Sequence, residues 1–546
     1  MSGGQANQDW AKGLSLVRQA VAEITAAAKL LQSLGPTLTA TPPPADSAVE
    51  AKAAEAEKAR FDTDLAALKG RLSKLQASTA PPVAEIQAKV DAVAAAAKSA
   101  EDNAKKPDMA AAQEALYTAR TAADEAERVA PLRQAFDERA KALVTKAGTN
   151  VALTGKITAV VNAAKPVADK FDFDGAGRVL DSADAAFEGE KVKRLASGTD
   201  EAALMTAVKE MMKKSGGSGI APGVKDGPKQ LDEIVTSLSA TTTKPEVFSK
   251  TCKERFGIEL SAKGETGAFS DVKDAKTLQN LYKTLAMTPD QVKDNPSLKK
   301  VVRTKVGSAG GAYDASENAT EMLGRPADPN YKQQFGSKLL NSGGTNQLPA
   351  PLSNDYKPAN EDALDYFEFA NVHETGHSVD DRLGFMSGRL GQAAFGGWAL
   401  YGGDLGPIAD AVAGKYGAAF ADQLKPFVID LMTGNQPDNP KATDPTKQAA
   451  LNDACQKIRD DWFKNANVKG ECWWDQGKCT KITIGDKIYH EAYAGTWVSY
   501  TAAERSKGIT GYQFRAPGEW FAELFAAYHH KKLKPSHPAV AWLKDL

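Results

Sequence analysis

Two histidines stand four residues apart in His373-Glu374-Thr375-Gly376-His377, with a glutamate directly after the first. On a helix, positions i and i+4 share a face, so both imidazoles project the same way and each can give a ring nitrogen to one tetrahedral zinc. Glu374 follows the first of them, where its carboxylate can accept a proton from a water that the metal polarises. Gly376 leaves room beside the metal. The chain contains six histidines, so chance placement of this pattern is on the order of one per cent. The competing reading, a helix with two solvated or core histidines, is the weaker one.

A helix over residues 360–384 must carry this pair. Asn360 can cap it, with Glu361 and Asp362 in its first turn, and it stops near Gly384. Tyr366, Phe369, Ala370, His373 and His377 then share one mostly buried face. The third ligand must come from elsewhere. A metzincin would place a histidine six residues after His377, but Leu383 occupies that position. The better source is a late helix over 517–532, reading PGEWFAELFAAYHHKK, where Pro517 suits the first helical position and Lys531-Lys532 the last turn. Glu519 and Glu523 lie one turn apart on it, so one can ligate zinc while the other orients a ligand histidine through its free ring nitrogen. Taken alone, such a pair also reads as a solvated charged edge.

HETGHSVDD together with GYQFRAPGEWFAELF resembles the catalytic domain of anthrax lethal factor and its relatives, a gluzincin-type metallopeptidase group; GGAYD at 310–314 adds weak support. In that family the HExxH motif is followed by a Val-Asp-Asp-like tail, here Val379-Asp380-Asp381. A tyrosine seven residues before the ligand glutamate corresponds to Tyr512 and Glu519, and a glutamate four residues later to Glu523. The resemblance implies an α+β, zincin-like domain with His373, His377 and Glu519 as zinc ligands. It implies Glu374 as general base, Tyr512 as the phenol that assists the oxyanion or the leaving amine, and Glu523 as the residue steering His373. The stretch between His377 and Glu519 departs from the family in being long. It holds GGWALYGGDLG, the hairpin of Cys472 and Cys479, and Tyr489-His490-Glu491. Either an insertion sits there or it supplies the third ligand, with His490 or Glu491 in reserve. His529 and His530 read as polar residues at a helix end, and His537, beside Pro538, as surface loop.

The elements around the motif fall into two textures. Residues 1–214 are rich in Ala, Lys, Glu and Asp and poor in Gly, and read as all-helical. Val17, Val21, Ile24, Ala28 and Leu31 make an apolar stripe on a helix near 8–34, and Pro42-Pro43-Pro44 breaks the chain after it. Phe61, Leu65, Leu68, Leu72 and Leu75 form a coiled-coil-like seam that Pro81-Pro82 ends. Residues 90–128 and 157–194 each read helix, break, helix, with breaks at Pro107-Asp108 and at Phe171 to Gly175; they resemble two copies of a helical hairpin. Residues 215–230, opening on Ser215-Gly216-Gly217-Ser218-Gly219, read as a flexible linker. Residues 231–546 mix helices with short strands, among them a strand-turn-strand over 310–322 and KITIGD at 480–485, which suggests an α+β domain, expected from the motif and the resemblance to be the metallopeptidase domain.

The 546 residues carry a formal net charge of -1, with no excess of cations to neutralise a phosphate backbone, so nucleic acid is not expected as a partner. No apolar run reaches transmembrane length, and the first twenty residues show no secretory leader. Cytoplasmic synthesis is expected, with a signal-independent export route left open. Four cysteines are too few for a disulfide scaffold, although Cys472 and Cys479 could face each other across a hairpin. These features predict a Zn2+-dependent endopeptidase acting on protein or peptide substrates; the family resemblance adds the idea of a secreted toxin or effector. The alternative is a catalytically silent binding protein. The N-terminal helices are expected to bind a partner or to self-associate.

Overall fold

The computed structural model describes residues 47–78, 84–105, 108–260, 275–303, 311–322, 332–339, 352–466 and 481–546. The stripe over 8–34, the proline breaks at 42–44 and 81–82, and the Cys472/Cys479 pair lie outside the described residues. The chain forms two compact units, residues 1–135 and 136–546. Among the described residues it is mostly helical with three small sheets, an all-α N-terminal region followed by an α+β part. No helix among the described residues is long and apolar enough to cross a membrane.

In the first unit α1 (Ser47–Ser78), α2 (Ala84–Ala104) and the start of α3 (Met109–Ala147) share a core. The predicted seam lies in it: Phe61, Leu65 and Leu68 are buried against Val93, Ala97, Leu116 and Ala119. Alanine at the facing positions lets the helices close up, which accounts for the Ala-rich composition. Arg71 of α1 bridges to Asp124 at 2.5 Å and Glu127 at 2.9 Å on α3.

In the second unit α4 (Val151–Ala168) and α5 (Phe173–Ala196) pack as a hairpin. Its turn falls where the sequence predicted a break: Asp172 caps α5, its Oδ1 accepting from Gly175 N at 2.8 Å. The predicted boundary at 215–230 is corrected. α6 (Glu201–Lys213), before it, and α7 (Gly227–Ser237), α8 (Pro245–Phe256) and α9 (Ala275–Met287), after it, bury Val208, Met211, Leu231, Phe248 and Leu281 in a single core. The glycine-rich stretch connects helices inside one unit, because the apolar faces on its two sides complete each other. β1 (Glu259–Leu260) precedes α9, the short α10 (Pro289–Val292) follows it, and β2 (Lys300–Arg303), β3 (Gly311–Asp314) and β4 (Ala319–Met322) complete a sheet of order β1-β2-β4-β3. β3 pairs antiparallel with β4, as the strand-turn-strand reading expected, and forms the sheet edge.

β5 (Lys332–Gln333) pairs with β6 (Leu364–Asp365), and α11 (Tyr366–Leu383) follows at once. The helix therefore starts six residues later than expected, Asp365 being its cap: Oδ1 accepts from Phe367 N at 3.1 Å. Asn360 instead meets Lys532. After α11 come β7 (Ala399–Gly402), the helices α12 (Gly406–Gly417), α13 (Ala421–Met432) and α14 (Pro445–Ala466), then β8 (Lys481–Ile484), β9 (Lys487–Tyr493) and β10 (Thr496–Thr501). The four strands make a second, antiparallel sheet of order β7-β10-β9-β8. The three helices form a lobe with its own core around Val412, Phe427, Ile458 and Trp462, onto which β8 to β10 contribute Ile482, Tyr489 and Trp497. α15 (Pro517–His529) and α16 (Pro538–Leu543) close the chain. Phe369, Val372 and Val379 of α11 pack on Trp520, Phe521, Leu524 and Phe525 of α15. Each such burial is worth about 1.5–3 kcal/mol, so the crossing of α11 on α15 is the firmest contact near the histidines.

Four of the six histidines lie away from that pair, and burial pulls each below its ordinary value of 6.5, His490 to about 3 and His529, His530 and His537 to about 4. His537 is not surface loop: it is buried and caps α16, its Nδ1 accepting from Ala539 N at 3.1 Å. A histidine whose folded-state pKa lies below its unfolded value contributes stability fully above the unfolded value, and loses it as pH falls toward the folded one. The midpoint of thermal unfolding should therefore drop between pH 6.5 and about 4. His537→Asn keeps a side-chain acceptor for Ala539 N without a proton to gain, so this variant should show a shallower drop. An identical pH profile would contradict the assignment.

Candidate metal centre

His373 and His377 project from one side of α11 toward the first turn of α15. Pro517 fixes the start of α15, which puts Glu519 in the electropositive first turn, where a carboxylate is favoured. Gly376 sets the approach of the two helices. A Cβ there would lie 3.1 Å from Ala522 Cα and 3.2 Å from a Phe525 ring carbon, so any larger residue would push α15 and Glu519 away from the histidines.

Three atoms meet at this crossing. His373 Nε2 lies 3.1 Å from His377 Nε2 and 3.1 Å from Glu519 Oε2, and His377 Nε2 lies 3.2 Å from the same oxygen. Ligand bonds of about 2.0–2.1 Å at a tetrahedral zinc hold the ligand atoms about 3.3 Å apart, close to this triangle. Among the described residues, these three are the set of His, Cys, Asp and Glu whose ligand atoms could hold an ion. Donor chemistry favours one. Glu523 Oε1 lies 3.0 Å from His373 Nδ1, within ion-pair distance, and a proton on that nitrogen would leave the Nε2 lone pair toward Glu519 Oε2 and His377 Nε2. Three lone-pair atoms facing one point form a set that a cation could occupy.

The electrostatics agree. Glu374, Glu519 and Glu523 are 5%, 7% and 4% exposed, and three buried carboxyl groups without a compensating cation are costly. Burial opposes a charge on His373, yet hydrogen bonds with Glu519 and Glu523 outweigh it and raise its pKa well above the ordinary value. Burial likewise opposes the Glu519 carboxylate, and the two histidines overcome it, holding its pKa well below the usual range. Glu374 is raised by burial against the pull of His373 and His377. It abuts edge strand β3: a Cβ on Gly311 would come 2.7 Å from Glu374 Oε1. Only glycine there leaves that carboxylate its place. Tyr313 on the same strand donates to Asp381 Oδ2 at 2.9 Å, tying β3 to α11.

Tyr512 donates to Glu519 Oε1 at 3.0 Å. The residues singled out in the sequence, His373, Glu374, His377, Tyr512, Glu519 and Glu523, thus come together. The reserve ligands do not. His490 is fully buried in β9, its ring edge-on to Tyr500, and Glu491 accepts from Gly495 N at 2.6 Å in the hairpin turn. The long intervening stretch is spent on the helical lobe and the second sheet.

Four contributors had escaped the sequence reading. Thr510 donates to Glu523 Oε2 at 2.5 Å. Arg515 Nη1 donates to Tyr512 OH at 2.7 Å. Tyr493 donates to Glu519 Oε1 at 3.0 Å, and Gly311 makes room for Glu374. Arg515 carried a local signal, three residues past Tyr512. Tyr493 carried none, because only the β9–β10 pairing brings it to the site. No protein-family model, curated protein or solved structure matches this chain.

Proposed function

We propose that the chain is a zinc-dependent endopeptidase of the gluzincin type, with a zincin-like fold in its C-terminal part. The observation that carries this reading is the convergence of His373 Nε2, His377 Nε2 and Glu519 Oε2 within 3.2 Å of one another, with Glu374 buried beside them. Zinc held there would supply Lewis acidity, polarising a water and the carbonyl of a peptide bond. The remaining work falls to the chain's own groups. Glu374 takes the proton from the attacking water and passes it to the departing amine. Burial raises its pKa, which makes it the stronger base. Tyr512, whose pKa is also raised, chiefly by burial and by Glu519, stays a neutral phenol and donates to the developing oxyanion. Glu523 and Thr510 hold His373 in the tautomer that frees Nε2.

The test is peptide cleavage. Full-length protein carrying about one zinc per chain should cut a mixed peptide library, lose that activity to a chelator and regain it when zinc is restored. Cleavage that survives complete zinc removal would contradict the proposal. Zinc without cleavage of any peptide would favour a silent binding protein instead.

A further inference from the structure

Glu519 offers its second oxygen, Oε1, to two phenols at once. Tyr493 OH and Tyr512 OH each donate to it at 3.0 Å. They arrive from unrelated places: Tyr512 stands on the loop entering α15, whereas Tyr493 ends β9 at the turn into β10, in register with Thr496. Arg515 links them. Its guanidinium lies 4.0 Å over the Tyr493 ring while Nη1 donates to Tyr512 OH at 2.7 Å, and its Nε donates to the Ala492 carbonyl at 3.3 Å.

A carboxylate oxygen has two lone pairs, so Oε1 accepts both phenols at rest. If Tyr512 turns to a substrate oxygen, it must release Glu519. Without another donor, Oε1 would then be a buried acceptor with nothing to accept, and the carboxylate could rotate Oε2 away from the histidines. Tyr493 is placed to be that donor: its backbone pairs in the hairpin and its ring lies under Arg515.

We infer that Tyr493 is a positioning residue for the metal ligand Glu519, holding the carboxylate with Oε2 toward the histidine pair while Tyr512 serves the substrate. The inference rests on the zinc reading above. It assigns to the β9–β10 hairpin tip a part in metal retention that no motif in the sequence announces.

The experiment compares wild type, Tyr493→Phe and Tyr512→Phe as full-length proteins. Zinc affinity is read by competition with a chromophoric chelator, turnover is read at limiting and at saturating zinc, and the unfolding midpoint of the metal-free protein serves as a control. Tyr493→Phe should bind zinc about 10-fold or more weakly, in the range of lost outer partners of a ligand, with an unchanged metal-free midpoint. Saturating zinc should restore most of its turnover, because the residue acts through Glu519. Tyr512→Phe should stay impaired at any zinc concentration. Wild-type zinc affinity in Tyr493→Phe overturns the inference, and so does turnover that zinc cannot restore. Wild-type protein that takes up no zinc overturns the metal reading with it. Wild type that binds zinc but cuts nothing sinks only the peptidase reading, and the affinity comparison still decides the role of Tyr493.

Discussion

Glu374→Gln should keep its zinc and lose its turnover. The amide matches the carboxylate in size, so the packing against Gly311 survives, and Glu374 contributes no atom to the triangle of His373, His377 and Glu519. What the amide lacks is a basic oxygen. General acid–base catalysis contributes about 10²–10⁴-fold, so kcat should fall by that order while KM changes little. Zinc content and kcat measured on the same preparation separate the two effects. Full activity in this variant would remove Glu374 from its role. Loss of zinc along with activity would point to a structural role instead.

Glu519→Ala should fail one step earlier, at the metal. The substitution removes Oε2 from the triangle and strips Tyr493 and Tyr512 of their shared acceptor. Outer partners of a ligand are worth about 10- to 100-fold in metal affinity. A ligand itself should exceed that, so the zinc dissociation constant should rise by more than about 100-fold relative to wild type. Glu523→Gln, which disturbs the contacts with His373 Nδ1 and Thr510 but removes no atom of the triangle, should stay inside the smaller range. The ordering of the two variants matters more than either value. If Glu523→Gln costs more zinc than Glu519→Ala, the ligand and the orienting residue have been exchanged.

The parts of this site that depend on one helix were legible in the sequence, because a helix converts spacing directly into direction. His373 and His377 at i and i+4, and Glu519 and Glu523 at i and i+4, needed only the periodicity of α11 and α15. The family resemblance then joined the two helices. Residues that reach the site through strand pairing were not legible. Tyr493 is placed by the register of β9 on β10 and Gly311 by that of β3 on β4, and spacing along the chain does not show which side chain either one meets. Local competition explains the misplaced start of α11. Asn360, Glu361 and Asp362 look like a helix start, but Leu364-Asp365 pairs with Lys332-Gln333 and Lys532 reaches Asn360 and the Asp362 carbonyl, leaving Asp365 as the cap. The boundary expected at 215–230 failed for a third reason. Composition marks a segment without regular structure, but it does not show whether the helices on its two sides need each other. Here Met211 and Leu231 share a core, so they do.

The most direct measurement of the central claim is X-ray absorption at the zinc edge on full-length protein, alongside elemental analysis of wild type and His377→Ala. About one zinc per chain is expected, with two imidazole nitrogens and one carboxylate oxygen at about 2.0–2.2 Å, and the variant should lose the metal. Wild-type protein that holds no zinc, or a zinc bound by sulfur and retained in His377→Ala, would contradict it.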